Sequence, residues 1–553
     1  MHFIINEGEY TVNEFKPELL LSLKHYSKEK LIQDIVSGVI VAIVALPLSI
    51  ALALASGVSP EQGLYTAIVA GFVISAFGGS KVQIAGPTAA FATIVAGIVV
   101  KNGMNGLIIA TILAGIILII MGLCKMGSLI KFIPSTITIG FTAGIAITIA
   151  VGQLKDFLGL TFVNSPIETM DKMKEVIHCI GTINYSALFI GIIALAILIL
   201  WPKVTEKIPS SLIAVLATAA IVKIFKMNVY TIGDLYTISS AAPHFALPDF
   251  SFDTVQAVLP DAFVIAILAA IESLLSAVVA DDMIGASHNS NMELVAQGLG
   301  NTASALFGGI PATGAIARTA ANIKNGGRTP IAGIVHSVVL LLILVLLMPS
   351  AALIPMPCIA AILFQVAYNM SGWRNVVKTI KTAPKSDIAV LITTFTLTVV
   401  FDLVIAIGVG MTLACLLFMK RMADVAHVKE WDYTAADADE RAKDVPDHVI
   451  VYEIHGPMFF GAADKIPHME RQDGKTAIII RMKGVPAIDI TAMNSLGVLF
   501  HECKKHRIHV IFSHVNKQPM SVFQKCGFIE MVGIENFKAN IDEALDFAEQ
   551  FKK

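Results

Sequence analysis

The chain is poor in charge. Asp, Glu, Lys and Arg make up only 15% of its 553 residues, against about a quarter in an ordinary soluble domain. The formal net charge is −2. Without a basic excess there is no electrostatic footprint for nucleic acid, and such a partner is excluded. Cysteine is also scarce. The six, at 124, 179, 358, 415, 503 and 526, show no CxxC pair and no Cys/His cluster, so neither a metal site nor a disulfide framework is expected. There is no Walker A motif, which excludes ATP as energy source by that route, and no constellation that marks an enzyme or calls for a cofactor. The opening residues, with Lys16, Lys24, Lys28 and Lys30, lack an apolar run followed by a cleavage site. No cleavable signal peptide is expected, and the first membrane helix should act as its own insertion signal.

What the chain does have is apolar sequence. Its mean hydropathy is +0.74, that of a polytopic membrane protein. Composition breaks once, near Met419, where Lys420 and Arg421 open a polar stretch. The expected division is a polar segment at 1–30, a membrane part at 31–421, a linker at 422–445 and a soluble domain at 446–553. Within the membrane part, apolar segments fall at about 31–55, 63–77, 105–123, 129–151, 185–201 and 208–225. After them come segments at about 259–279, 294–308, 329–348, 353–371, 386–400 and 402–419. Pro47 interrupts the first. Residues 152–183 and 226–252 are longer loops, and 281–293 is a polar loop.

Two stretches do not fit a continuous helix. Val82-Gln-Ile-Ala-Gly-Pro-Thr-Ala-Ala-Phe91 and Gly308-Gly-Ile-Pro-Ala-Thr-Gly-Ala-Ile-Ala-Arg318 share one grammar. Each has an extended lead-in, glycine and proline opposing helix, then a helix of small residues. Each helical piece falls short of the about 20 residues a spanning helix needs. Counting them gives fourteen segments, seven on each side of residue 250, and the interrupted ones stand third in each half. An odd number per half requires the halves to be inverted about the membrane plane. Paired interrupted segments are a sequence pointer to a transporter binding site. A helix start carries unpaired N–H donors and about half a positive charge, which attracts an anion. The competing reading is a Gly/Pro-rich loop with Arg318 snorkelling to the surface.

Glu272 is the one carboxylate expected deep in an apolar span, where it must be protonated, paired or facing water. A proton-loading role competes with a structural interhelical hydrogen bond. Small residues at Ala269, Ser273 and Ser276 flank it on the helix. Arg318 shares a helix face with Gly314 and Ala315, and pairing with Glu272 in the empty protein is a natural expectation. Thr88 and Thr313 are placed to cap the half-helices, with or without a ligand role. His336 reads as a satisfied core histidine and Asp402 as a cap. Lys and Arg counts give eleven in loops on the side of the N-terminus (81, 125, 131, 203, 207, 324, 328, 374, 378, 381, 385). The other side has six (101, 155, 172, 174, 223, 226). Both termini are therefore expected in the cytoplasm.

Ser59-Pro-Glu-Gln-Gly-Leu-Tyr65, Gly86-Pro-Thr88, Ile271–Asp281, Asn291–Asn301 and Gly308–Thr319 resemble the sulfate permease (SulP) family. Residues 446–553 resemble the STAS domain that follows the membrane part there. The resemblance covers essentially the whole chain. It implies an α-helical seven-plus-seven inverted repeat like that of uracil transporters, with repeats at about 31–225 and 254–421. A core domain would move against a gate domain. It places an anion between the half-helix starts, at Gly86, Pro87, Thr88 and Ala89 and at Ala312, Thr313, Gly314 and Ala315, with Arg318 nearby. It puts ion coupling on Glu272, and Glu rather than Asp there tilts the coupling ion toward a proton and away from sodium. Sulfate, bicarbonate, dicarboxylates and chloride are among the family's substrates. An uncoupled channel or exchanger with the STAS domain as regulatory output is the alternative. A plasma or inner membrane location, a homodimer and a cytoplasmic partner at the STAS domain are further implications. By its residues alone 448–553 reads as α/β, with strands at 449–454, 476–481 and 509–513 and helices at 492–506 and 539–551. Thr491, in Ile488-Asp-Ile-Thr491, matches a phosphorylated threonine of related bacterial regulators, although Ala492 stands where many relatives have Gly.

Overall fold

The computed structural model describes residues 15–24, 26–128, 134–164, 166, 168–205, 209–401, 403–430, 445–466 and 474–552. Asp402, Lys131, Lys207 and linker residues 431–444 lie outside the described residues. The described chain divides into two compact units, Met1–Met411 and Thr412–Lys553.

In the first unit, short α1 (Glu18–Leu23) precedes α2 (Lys28–Ala55), which contains Pro47. Helix α3 (Pro60–Phe77) starts sharply because Pro60 suits a first turn and the Ser59 amide donates to Gln62 Oε1 at 3.0 Å. A two-residue strand β1 (Ala85–Gly86) leads into α4 (Ala89–Leu123). Gly103 breaks α4 with φ 68°, a conformation that favours glycine, so a half-helix ends there and a full span begins. Next come α5 (Ser135–Leu158), α6 (Thr169–His178), α7 (Tyr185–Val204), α8 (Ser210–Phe225) and short α9 (Ile232–Leu235).

The second half repeats the plan. Helices α10 (Phe252–Ile284) and α11 (Ser290–Leu306) are followed by β2 (Thr313–Gly314) and the nine-residue α12 (Ile316–Lys324). Then come α13 (Ile331–Ala351), α14 (Met356–Ser371), α15 (Trp373–Thr382), α16 (Lys385–Val400) and α17 (Leu403–Val425). The expected polar loop at 281–293 is shorter than read, because α10 runs on to Ile284 and α11 begins at Ser290. The expected loops also hide α6 and α15, amphipathic helices whose polar residues masked them.

Helices α2, α3, α4, α10, α11 and α13 pack on one another, while α5, α7, α8, α14 and α16 form a second group. The two groups form separate layers of the helical unit. Small residues let backbones meet. A Cβ on Gly298 of α11 would stand 2.4 Å from the Gly115 carbonyl oxygen of α4.

The second unit is an α/β domain. Its sheet runs β3 (His427–Glu430), β4 (Val449–His455), β5 (Ala477–Gly484), β6 (His509–Ser513) and β7 (Phe537–Lys538), antiparallel at the first pair and parallel thereafter. Helices α18 (Ile490–Lys505), α19 (Lys517–Lys525) and α20 (Phe528–Val532) cover one face, and α21 (Ile541–Ala548) the other. Burial of alternating Ile478 and Ile480 toward one helical layer, and Ala477 and Ile479 toward the other, accounts for the near-continuous apolar run of β5. Strand β3, helices α19 and α20, and strand β7 escaped the sequence reading. They are short, and two of them hold mostly polar residues.

Candidate functional site

The two interrupted stretches meet. Strands β1 and β2 pair antiparallel, Ala85 opposite Gly314 and Gly86 opposite Thr313. The starts of α4 and α12 are thereby brought to opposite ends of one two-residue ladder. Neither start has a side-chain cap. Among the described residues nothing accepts from the amides of Ala89, Ala90, Ile316 or Ala317. Unpaired amides at helix starts are anion donors.

The surroundings explain why these short extended pieces hold. Asn301 of α11 acts as a strand edge for Ala312, its Oδ1 accepting from the Ala312 amide at 2.8 Å and its Nδ2 donating to the Ala312 carbonyl at 2.9 Å. Ser273 of α10 accepts from the Gly314 amide at 3.0 Å and sits 2.7 Å from Thr313 Oγ1. The Ile84 amide donates to Thr319 Oγ1 at 3.0 Å. Extended backbone inside a membrane persists only when such groups satisfy it.

Each expected site residue has a definite place, and several differ from expectation. Thr88 occupies the N-cap position of α4, but its hydroxyl donates to Glu272 Oε2 at 3.0 Å instead of capping. Thr313 is not a cap at all. It lies in β2, buried, and Ala315 holds the N-cap position of α12. The expected Glu272–Arg318 pair is absent: Arg318 Nη2 donates to the Pro87 carbonyl at 2.9 Å, and its Nε and Nη1 have no partner among the described residues. Arg318 is 1% exposed, so it does not snorkel. Its guanidinium lies against Gly86, where a Cβ would fall 2.2 Å from Nη1. Any other side chain there would displace the arginine. Around the ladder, Thr88, Glu272 and Ala315 remain partly exposed while Pro87, Ala89, Ala312 and Gly314 are buried.

Ala269, Ser273 and Ser276, read as clearance beside Glu272, are occupied. The Ala269 carbonyl accepts from Thr313 Oγ1, and Ser276 Oγ lies 3.4 Å from Thr319 Oγ1. His336 is fully buried with neither ring nitrogen partnered among the described residues, so it is not the satisfied core histidine expected.

Two other carboxylates are more deeply buried than Glu272. Glu293 is fully buried and accepts from the Gly79 and Ser80 amides, Gln83 Nε2 and Gln297 Nε2 at 2.8–3.1 Å. Asp34 is equally buried and accepts from the Arg328 and Thr329 amides, Thr329 Oγ1 and Tyr26 Oη. Glu293 ties α11 to the approach of β1, and Asp34 ties α2 to the exit of α12. Glu293 falls in the expected polar loop, and Asp34 lies at the start of the first apolar segment, where the sequence reading passed over it.

A cavity of about 390 Å³ separates the two helix groups. Thr93, Gly97 and Lys101 of α4, Thr148 of α5, Asp261 of α10 and Thr398 of α16 contribute to its wall. Thr93 is one helical turn beyond Ala89, which brings the cavity close to the start of α4.

In the second unit, Asp489 caps α18 by accepting from the Ala492 amide at 2.9 Å, and also accepts from the Phe460 amide. Thr491 is exposed in the first turn of that helix.

Residues 31–394 match the sulfate permease family and residues 440–544 the STAS domain. The chain is 40% identical over 527 residues to a putative sulfate transporter, YvdB, of Bacillus subtilis, covering 94% of this chain and 98% of that protein. It is 32% identical over 508 residues to the bicarbonate transporter BicA of Picosynechococcus, covering 86% and 88%. In fold it is similar to the murine solute carrier 26 family member A9 anion transporter in its inward-facing state. The TM-score is 0.88 at 17% identity, over 99% of this chain and 96% of that one.

Proposed function

The chain belongs to the sulfate permease family, and on that premise we propose that it is a secondary active transporter of a small inorganic anion or carboxylate, coupled to protons. The observation that carries the reading is the pair of uncapped helix starts joined by β1 and β2, beside the hydrogen-bonded Glu272 and Thr88. The anion is held by the amides at Ala89–Ala90 and Ile316–Ala317, with Gly86, Pro87, Thr88, Ala312, Thr313, Gly314 and Ala315 shaping the site. Arg318 acts through Pro87 and through its positive charge rather than by pairing with Glu272. Sulfate, bicarbonate and dicarboxylates are the substrate candidates.

Coupling follows from charge. An ionised Glu272 beside the half-helix starts repels an incoming anion. At about 5 Å and an effective dielectric of about 20 the repulsion is roughly 3 kcal/mol, about a hundredfold in affinity. A proton on Glu272 removes it. Proton and anion then favour each other's binding, which is the thermodynamic content of symport. Movement of the core group against the gate group, elevator-fashion, would carry the loaded site from one side of the membrane to the other. The helical unit lies in a plasma or inner membrane with both termini in the cytoplasm, the protein is a homodimer, and the STAS domain offers a regulatory surface, with exposed Thr491 as a modification site.

The test is binding to purified protein. Isotopically labelled sulfate, bicarbonate, succinate and chloride are offered at pH 5.5 and pH 8, with uracil as a neutral competitor. At least one anion is expected to bind more tightly at the lower pH. Displacement by uracil and by none of the anions would contradict an anion site.

A further inference from the structure

Helix α6 and the loop before it bring together a glutamate, a histidine and a cysteine that transport does not use. Glu175, His178 and Cys179 stand at i, i+3 and i+4, on one side of a helix end. One ligand atom from each lies within 4.8 Å of the others. Cys179 Sγ is 3.6 Å from Glu175 Oε1 and 4.0 Å from His178 Nδ1. Tetrahedral zinc, with about 2.3 Å to sulfur and about 2.0–2.2 Å to nitrogen and oxygen, spaces its ligands by roughly 3.3–3.7 Å. The Cys179–Glu175 spacing already fits, and side-chain movement of up to about an ångström brings the other pairs to that spacing. The expectation of no Cys/His cluster therefore fails. His178 and Cys179 are adjacent in sequence, and the signal was missed because it lacks CxxC spacing.

We propose that Glu175, His178 and Cys179 form a binding site for a soft divalent cation of the zinc class, with water as fourth ligand. Glu175 Oε1 is engaged by the Val163 and Asn164 amides at 3.0 Å. Oε1, which faces the Cys179 thiol at 3.6 Å, is the oxygen placed for the metal, and Oε2, met among the described residues by Asn164 Nδ2 at 3.4 Å, keeps the carboxylate tied to the loop. The metal takes the place of the Cys179 thiol proton, which passes to solvent. Thiolate and carboxylate together then balance the dication. His178 binds through Nδ1 in its neutral form, and its exposed ring gives the metal and the fourth-ligand water access from solvent. The buried Cys179 and Glu175 supply the rigid side of the site. Helix α6 packs on α5 and α16, and Glu168 and Thr169 at its start line the cavity between the helix groups. A bound cation that braces the end of α6 also braces that wall, so occupancy should slow transport.

The test uses the full-length protein, stripped of metal in detergent and titrated with cobalt(II). The expected result is one cobalt per chain with a thiolate-to-cobalt charge-transfer absorption that zinc displaces. His178→Ala alters only an exposed side chain and should weaken binding at least tenfold. Cys179→Ser should abolish the absorption. Absence of saturable binding in the wild-type protein, or binding unchanged in both variants, would overturn the site.

Discussion

Arg318 has five N–H donors, and among the described residues only Nη2 has a partner, at Pro87. A guanidinium buried among helices with unpaired donors is costly. Compensation by a bound anion is the economical explanation, whether through direct contact or through the field around Gly86 and Pro87. Arg318→Lys retains the charge and loses the planar fork, whereas Arg318→Ala loses both. Equilibrium binding of the transported anion is expected to weaken by about ten- to a hundredfold in Arg318→Ala, the range for a charged hydrogen bond, and by less in Arg318→Lys. Unchanged affinity in both would confine the arginine to a structural role. At this scale the chemistry was legible in the sequence where composition made a residue conspicuous. An arginine and a glutamate among small apolar residues stand out. Their partners did not, because side chains 184 and 231 positions away in sequence, such as those linking Thr88 to Glu272 and Pro87 to Arg318, leave no local trace.

The half-helices depend on the elements that brace them. Glu293 receives four donors, so it serves purely as an acceptor. Glu293→Gln turns one oxygen into a donor facing other donors. A loss of roughly 2–4 kcal/mol is expected, read as a fall in the thermal unfolding midpoint in detergent, while Glu29→Gln, at an exposed position of α2, leaves it unchanged. Equal midpoints for the two would show that the β1 approach does not rely on Glu293. In the α/β unit, α18 buries Cys503 in the sheet core. Burial, aided by the neighbouring Glu502 charge, pushes its thiol up to about 12. Thiolate is the reactive form, so a maleimide at pH 8 should modify exposed Cys526 and spare Cys503 until the domain unfolds; mass spectrometry of peptides distinguishes the two. Rapid modification of Cys503 in the folded protein would contradict this packing. Long elements were readable from periodicity and from glycine and proline breaks, as at β1, α4 and α12. Short α6, α15 and α19 were not, because amphipathic helices of about ten residues or fewer resemble polar loops until something packs against them, and α20, at five residues, is too short to show a period.

For the whole molecule, the repeated plan is the strongest link between sequence and function. Two broken segments in matching positions imply a site at their meeting point, and the β1–β2 ladder makes that meeting concrete. The identity of the anion is less legible, because the ligands proposed for it are mostly backbone amides, which every sequence possesses. The proposed coupling rests on one carboxyl group, and it is most directly tested in proteoliposomes. Uptake of labelled sulfate, bicarbonate or succinate is followed under an imposed inward proton gradient, with and without a sodium gradient, for the wild-type protein and Glu272→Gln. The account predicts uphill accumulation of at least one anion driven by protons alone and lost in Glu272→Gln, with anion binding by that variant retained and no longer dependent on pH. Purely downhill flux in the wild-type protein, accumulation that requires sodium, or full proton-driven uptake by Glu272→Gln would contradict it.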